Sequence, residues 1–298
     1  MTTRWQEVGE KGGAAGIALL VLIATGLGRG VARLLLAPIA WWFVLLHPEV
    51  RRRSRDYLRR VMPDRVSLRQ VYLHVHTFAQ VALDRLFMAR GDIGRFRIVS
   101  VGEEHLHALQ RTGRGGILLL SHLGSYDGMR AYSAERGVRV SSVGDFRNAR
   151  MITAALRRIN PKMDQDLIQI EEGATFVFAV EDRISRGGIV ATMGDRVGSD
   201  GKKAEASFLG GRAAFPTGPY LLAAVLQCPI LLAFGLYREP NVYELLCEPF
   251  AERVELPRGA RDEALARYVQ DYAGRLEHHC RSAPYNWFNF YDFWSVSR

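Results

Sequence analysis

The residues best suited to chemistry form one short run, SHLGSYD at 121–127, directly after an apolar stretch. That stretch predicts a buried strand, and open α/β sheets place their ligands at the carboxyl ends of strands. Gly124 permits a sharp turn, after which Ser125 or Asp127 is suited to begin a helix. We therefore expect the turn to bring the Asp127 carboxylate back to the His122 imidazole.

A histidine held by a carboxylate is an arrangement for general-base catalysis. The carboxylate fixes the tautomer and stabilises the imidazolium, and the other ring nitrogen then takes a proton from an attacking hydroxyl. The spacing alone is weak, because the chain contains 8 histidines and chance matches are common. The position of His122 at a strand end, beside glycines, favours a site over a core histidine with a chance carboxylate.

Several other chemistries lack their motifs. A serine esterase elbow fails because Asp127 stands where its second glycine belongs, and a P-loop fails because Arg196 stands where its first glycine belongs. No H-E-x-x-H metal site occurs, and we expect no metal and no cofactor. The three cysteines, Cys228, Cys247 and Cys280, are widely spaced, which indicates buried structural residues in a reducing compartment.

The basic charge is confined to the first third of the chain. Residues 1–100 carry 16 Lys and Arg against 7 Asp and Glu, whereas residues 101–298 carry 24 of each. This excess of positive charge adjoins the most apolar segment and not a domain that could bind nucleic-acid bases. It therefore favours anionic lipid over nucleic acid as the binding partner.

Two apolar runs, 14–27 and 34–46, are each too short to span a bilayer alone. The region is either one helix whose Arg29 and Arg33 snorkel, or a kinked hairpin in the interface, and Pro38 favours a bend. The second run contains an aromatic cluster at 41–43, and six arginines follow it, an order that predicts a membrane anchor with cytoplasm after it. A buried core hairpin followed by a solvated basic helix is the alternative.

The remaining pattern predicts an α/β fold: a mixed central sheet flanked by helices, behind an N-terminal membrane-associated helical segment. We expect an anchor and basic helix over 1–62 and a catalytic domain over 63–298. An amphipathic helix is predicted at 67–89, a closing helix at 261–281 and an antiparallel strand at 242–250. Further strands are predicted at 96–101, 117–120, 138–143, 189–192 and 230–236.

Residues 116–127 resemble the H-x-x-x-x-D/E block of the lysophospholipid acyltransferase superfamily. Within it the chain is most similar to the late acyltransferases of lipid A biosynthesis and to relatives acting on other bacterial glycolipids. The likeness runs from about Gly28 to Trp294 and includes Arg147 after a strand and the segments 188–196 and 215–219.

The resemblance implies an O-acyltransferase on the cytoplasmic face of the bacterial inner membrane. Its partners would be an acyl carrier protein, or coenzyme A, as thioester donor and a membrane lipid as acceptor, without metal or nucleic acid. It also assigns His122 as the base and Asp127 as its orienting partner. A lipid-binding protein that has lost catalysis is the rival interpretation.

Attack on a thioester places negative charge on the carbonyl oxygen, which needs donors aimed at it. Arg147 and Arg196, each shortly after a strand, are the candidates, although both could be surface arginines paired with neighbouring aspartates. Substrate-binding candidates are Ser125, Asp195, Thr217, Gly218 and Trp287. A helix beginning at Thr217 could hold a phosphate or shape an acyl pocket, and ordinary capping is the alternative.

The segment 285–294 contains seven aromatic residues and no Lys or Arg. Aromatic faces suit a neutral sugar or an aryl group better than a phosphate, which favours an acceptor other than lipid A. Lipid A itself remains the second candidate. The alternative is that this tail packs on the core or rests at the membrane interface.

Overall fold

The computed structural model describes residues 21–144, 159–160, 166–170, 175–198 and 201–294. The described helices of more than one turn that follow residue 27 are α1 (Gly28–Leu46), α2 (Pro48–Val61), α3 (Leu68–Ala89), α4 (Glu103–Thr112), α5 (Tyr126–Glu135), α6 (Thr175–Ser185), α7 (Gly218–Leu226) and α8 (Arg261–Ser282). The strands are β1 (Arg97–Val101), β2 (Gly116–Leu120), β3 (Val140–Gly144), β4 (Leu167–Gln169), β5 (Ile189–Met193), β6 (Lys203–Phe208), β7 (Gly211–Pro216), β8 (Ile230–Arg238) and β9 (Val242–Ala251).

Seven strands form the central sheet in the order β1-β9-β8-β2-β5-β3-β4. The strands from β8 to β4 run parallel, whereas β9 runs antiparallel to β8 and β1 runs parallel to β9. The α/β prediction and the antiparallel strand near residue 242 are therefore confirmed. Strands β6 and β7 form a separate antiparallel hairpin.

Strand β2 lies in the middle of the sheet and is buried along its whole length. Successive side chains of a strand point to opposite faces, so its residues divide between the two cores. Ile117 and Leu119 pack into the core that includes α2, α7 and α8, while Leu118 and Leu120 pack into the core that includes α1, α3 and α5. Burial on both faces explains the unbroken apolar run in the sequence.

Helix α1 packs antiparallel against α3, and the pairing repeats at helical spacing. Arg29 contacts Asp84, and Arg33 contacts Gln80 one turn further along. The Trp41 ring stacks on Tyr72, with 4.5 Å between the centroids. Residues four apart share one face of a helix, so these contacts describe one continuous seam. The residues of α1 that are fully buried along it are Ala32, Leu36, Ala40 and Val44.

This seam contradicts one of the two arrangements expected for this region, in which Arg29 and Arg33 snorkel to a membrane surface. Arg29 Nε lies 2.7 Å from Asp84 Oδ1, and Arg33 Nη2 lies 2.6 Å from Glu239 Oε2. Pro38 also lies within one continuous helix, and the change of direction falls at Gly28, whose φ is 87°. By length and composition alone, α1 is the one described helix that could cross a membrane.

Candidate active site

The site is built where two neighbouring parallel strands end. Strands β2 and β5 pair with Leu120 opposite Met193. His122 and Asp195 each follow two residues later, so the register sets them opposite one another. The Nδ1 of His122 lies 2.7 Å from Asp195 Oδ1, and the backbone N–H of His122 donates to Asp195 Oδ2 at 2.9 Å.

Asp195 has no solvent exposure, and its carboxylate is satisfied entirely by protein donors. Besides the two bonds from His122, the indole Nε1–H of Trp287 and the amide Nδ2–H of Asn289 each donate to its Oδ2 at 3.0 Å. A buried charge requires such partners. The preceding Gly194 leaves no room for a side chain, because a Cβ there would lie 2.8 Å from the Tyr272 ring.

The ionisation of the pair suits a general base. Burial raises the pKa of Asp195, but the charge and hydrogen bonds of His122 outweigh it and the pKa falls to about 2. Burial lowers the pKa of His122, as do the Arg196 and Arg85 charges, while Asp195 acts in the opposite direction. At neutral pH the carboxylate is therefore ionised and the imidazole neutral, with its proton on Nδ1.

The other ring nitrogen of His122 faces away from Asp195. The side chain is 25% exposed, and no residue that the structure describes forms a hydrogen bond with Nε2. Its lone pair is therefore available to a hydroxyl that enters the site.

Asp127 does not form the contact with His122 that the sequence analysis expects. Its Oδ2 lies 2.6 Å from the Nε of Arg85, which projects from α3. The turn after β2 is tight as expected, since Gly124 has a φ of 74° and a side chain there would collide with the backbone oxygen of Gly235. The chain then enters α5 in a direction that points the carboxylate at α3 instead of the imidazole.

Ser125 begins helix α5, which confirms one of its two expected roles. Its hydroxyl accepts the N–H of Gly128 at 3.0 Å and contacts the sulfur of Met88 at 3.6 Å. The side chain is buried, so capping accounts for its polar contacts.

Arg196 lies beside the dyad but bonds to the C-terminal segment. Its Nε–H donates to Asn289 Oδ1 at 2.7 Å and an Nη2–H donates to the Phe288 carbonyl at 3.2 Å. Arg147, the other predicted oxyanion donor, lies outside the described residues. Arg85 is a third cation of the site, and no local pattern in the sequence marks it.

The C-terminal segment packs against the turn that contains His122. The N–H of Phe288 donates to the His122 carbonyl at 2.9 Å, and the N–H of Gly124 donates to the Asn286 carbonyl at 2.8 Å. Trp287 is fully buried, like Asp195. Their observed contacts are with each other and, through Asp195, with His122, and their expected contact with substrate stays a prediction. Packing accounts for four of the seven aromatic side chains of the tail, whereas Tyr285, Phe290 and Tyr291 are partly exposed.

Thr217 and Gly218 begin helix α7, after the β6–β7 hairpin. The N–H of Thr217 donates to the Lys202 carbonyl at 2.9 Å, and its side chain forms no capping bond. Among the described residues, no hydrogen bond connects either residue to His122 or Asp195, and their substrate-binding role stays a prediction.

Two further expectations concern metals and cysteines. Within the described ranges, no three His, Cys, Asp or Glu side chains are grouped to hold a metal ion. All three cysteines are buried and unpaired, as predicted.

A buried aspartate that orients a histidine at the carboxyl ends of parallel strands defines an α/β enzyme equipped for base-assisted group transfer. The sequence model of the family described as bacterial lipid A biosynthesis acyltransferase matches residues 8–295, nearly the whole chain. The chain belongs to this family and is an acyltransferase of lipid biosynthesis. No curated protein shows significant sequence similarity to it.

Proposed function

We propose that the protein transfers a fatty acyl group from a thioester, carried by acyl carrier protein or coenzyme A, to a hydroxyl of a membrane glycolipid. One observation supports this most directly: Asp195 occupies Nδ1 of His122 and leaves Nε2 accessible. A non-catalytic lipid-binding protein would have no need of an oriented base with an open nitrogen.

In the proposed reaction, His122 Nε2 accepts the proton of the acceptor hydroxyl as its oxygen attacks the thioester carbonyl. A carbon–oxygen bond forms and the carbonyl oxygen becomes negative. Collapse of this intermediate breaks the carbon–sulfur bond, and the departing thiolate takes the proton back from the imidazolium. Asp195 stabilises the imidazolium throughout and keeps its own charge.

The negative oxygen requires positive charge nearby. Arg196 and Arg85 both lie close enough to lower the pKa of His122, which supports a role for either. We retain Arg147 as a third candidate from the sequence. We assign Asp127 the role of holding Arg85 in position, since the two form an ion pair.

The acceptor is proposed as a glycolipid on the cytoplasmic side of the inner membrane. Lipid A is the alternative, and the family is described by its role in lipid A biosynthesis. The aromatic composition of the tail no longer separates the two, because four of its seven aromatic side chains are buried and only three are partly exposed. Expression in cells that lack the late lipid A acyltransferases tests the alternative, since restored secondary acyl chains in their lipid A would identify lipid A as an acceptor.

Activity is tested with the purified full chain, labelled acyl carrier protein or acyl coenzyme A, and extracted bacterial lipid. His122→Ala should lose about 10²- to 10⁴-fold in rate. His278→Ala is the matched control, because His278 is exposed on α8. The dyad assignment fails if His122→Ala keeps more than about a tenth of the activity.

A further inference from the structure

Helix α1 is apolar enough to span a bilayer, yet its contacts fix it to the catalytic domain. Asp84 is completely buried and receives both the Arg29 guanidinium and the hydroxyl of Tyr243, the latter at 2.8 Å. Tyr243 belongs to β9 of the central sheet. Moving α1 away from α3 would leave a buried carboxylate without its cation, which is strongly unfavourable.

The seam between α1 and α3 extends over most of α1. It begins with Arg29 opposite Asp84 and ends with Trp41 stacked on Tyr72. At 1.5 Å per residue, these twelve steps along α1 cover about 18 Å. A helix that crossed the bilayer in this arrangement would carry α3 and its buried polar groups into the hydrocarbon, where they are costly.

The outward side of α1 is apolar. Leu34 is 76% exposed and Leu45 is 55% exposed. The other large apolar side chains exposed on this helix are Val31, Leu35, Ile39, Trp41, Trp42 and Leu46. Contiguous exposed apolar surface of this kind marks an interaction site.

The neighbouring residues indicate which partner fits. Trp42 carries an indole, a group that prefers the boundary between headgroups and acyl chains. Helix α2 begins two residues after α1 ends, and Arg52, Arg55 and Arg59 project from it at helical spacing. The ion pairs of this helix among the described residues involve Arg52, Arg53 and Arg60, and neither Arg55 nor Arg59. Cations beside an apolar stripe complement anionic headgroups over acyl chains.

We propose that α1 lies in the plane of the membrane, with this outward side in an anionic lipid leaflet and its seam holding the catalytic domain against the surface. The helix therefore does not span. The inference concerns attachment and does not depend on which lipid is acylated, so a failure of the acyl-transfer proposal would leave it intact.

Flotation of the full chain with vesicles of phosphatidylethanolamine and phosphatidylglycerol tests whether the outward side of α1 binds the membrane. Leu34→Asp combined with Leu45→Asp should lower partitioning at least about ten-fold. Phe178→Asp combined with Val225→Asp is the matched control, since these residues are 69% and 73% exposed but lie on helices other than α1. Equal losses in both double variants, or no loss in the first, would overturn the proposal. Dissociation of a dimer by the first variant, without loss of vesicle binding, would instead identify a second copy as the partner.

Orientation is measured by fluorophores attached to Leu34→Cys or Leu45→Cys and quenched by lipids brominated at two depths. The native cysteines are buried and do not compete for the label. An in-plane helix places both labels at the same depth. A spanning helix separates them by about 16 Å along the membrane normal, and that result would contradict the proposal. Absence of quenching at both positions would also contradict it.

Discussion

Arg85 and Asp127 form an ion pair, with the Nε and Oδ2 atoms 2.6 Å apart, and it joins α3 to the first turn of α5. The carboxylate that follows His122 by five residues therefore serves a cation of the site. The carboxylate that serves the imidazole comes from the next strand of the sheet, at Asp195. The two aspartates have separable roles, which mutations can distinguish.

Asp195→Asn should lower kcat by about 10²- to 10⁴-fold, because the amide no longer fixes the tautomer or stabilises the imidazolium. Asp127→Asn should lose less, because His122 keeps its partner. The measurement is steady-state acyl transfer with each variant. A larger loss from Asp127→Asn would show that the hydrogen bond to Asp195 is not the catalytic one.

Asp127 and Arg85 should behave as one unit. In a double-mutant cycle, Asp127→Asn combined with Arg85→Gln should cost little more than Arg85→Gln alone, because the carboxylate has then lost its partner. Asp127→Asn combined with Asp195→Asn serves as the comparison, and its effects should add. Additive effects in the first cycle would show that Asp127 acts on something other than Arg85.

The acidic limb of the pH profile should report the protonation of His122. Burial and nearby positive charge hold the pKa of His122 below its ordinary value of 6.5, so the base stays neutral and active somewhat below that pH. Arg196→Gln removes a charge that lowers this pKa, and the limb of kcat/KM should move to higher pH. Arg196→Lys keeps the charge and should leave the limb nearly in place. A shift of the limb to lower pH in Arg196→Gln would show that another group titrates.

Trp287→Phe should lower kcat, because it keeps an aromatic ring but removes one donor from the Asp195 carboxylate. Trp294→Phe is the matched control: its indole N–H also makes one buried bond, to the Phe208 carbonyl at 3.0 Å, away from the dyad. Each variant should also lose stability, by about 1–3 kcal/mol, from the lost hydrogen bond and the smaller ring. We expect kcat to fall clearly in Trp287→Phe alone, with KM unchanged in both. Equal kcat values would mean that the indole contributes packing and nothing more.

The free energy of unfolding should decrease as the pH is lowered, because of His74. This side chain is fully buried between Ser54 and the Trp287 carbonyl, and burial lowers its pKa from 6.5 to about 4. The unfolded chain therefore binds a proton below pH 6.5 that the folded chain does not bind until about pH 4. The free energy of unfolding should decrease over that interval by about 3 kcal/mol from this residue.

Urea unfolding in detergent at pH 7 and pH 4.5 measures this contribution. His74→Gln has no titrating ring, so its stability should depend less on pH than that of the unchanged protein. The same pH dependence in both proteins would assign the effect to other groups.

The sequence predicts the two strands that carry His122 and Asp195, but it does not predict that these strands are neighbours in the sheet. The apolar runs before His122 and before Gly194 predict both strands correctly. The hydrogen bond to Asp195 depends on β2 pairing with β5, although β3 and β4 come between them in the chain. A local pattern carries no information about such pairing. Asp127 is near in sequence, but the direction of α5 points it elsewhere.

The lack of information about distant contacts in a local pattern also explains why the ion pair of Arg29 was not predicted. A cation inside an apolar helix predicts snorkelling when the helix is considered alone, and its partner Asp84 stands 55 residues away. The tail composition is a different case. Aromatic residues serve equally well in sugar binding and in packing, and the choice depends on whether the surface they form is exposed.

The closure of the site by Trp287 and Asn289 sets an order of events during synthesis. The helix proposed to meet the membrane is translated before His122, and Trp287 and Asn289, which hold the Asp195 carboxylate, are translated after both. Under the proposed attachment and mechanism, a nascent chain would reach the membrane before it could catalyse acyl transfer. Stalled or truncated chains that lack this segment would occupy the membrane surface without turnover.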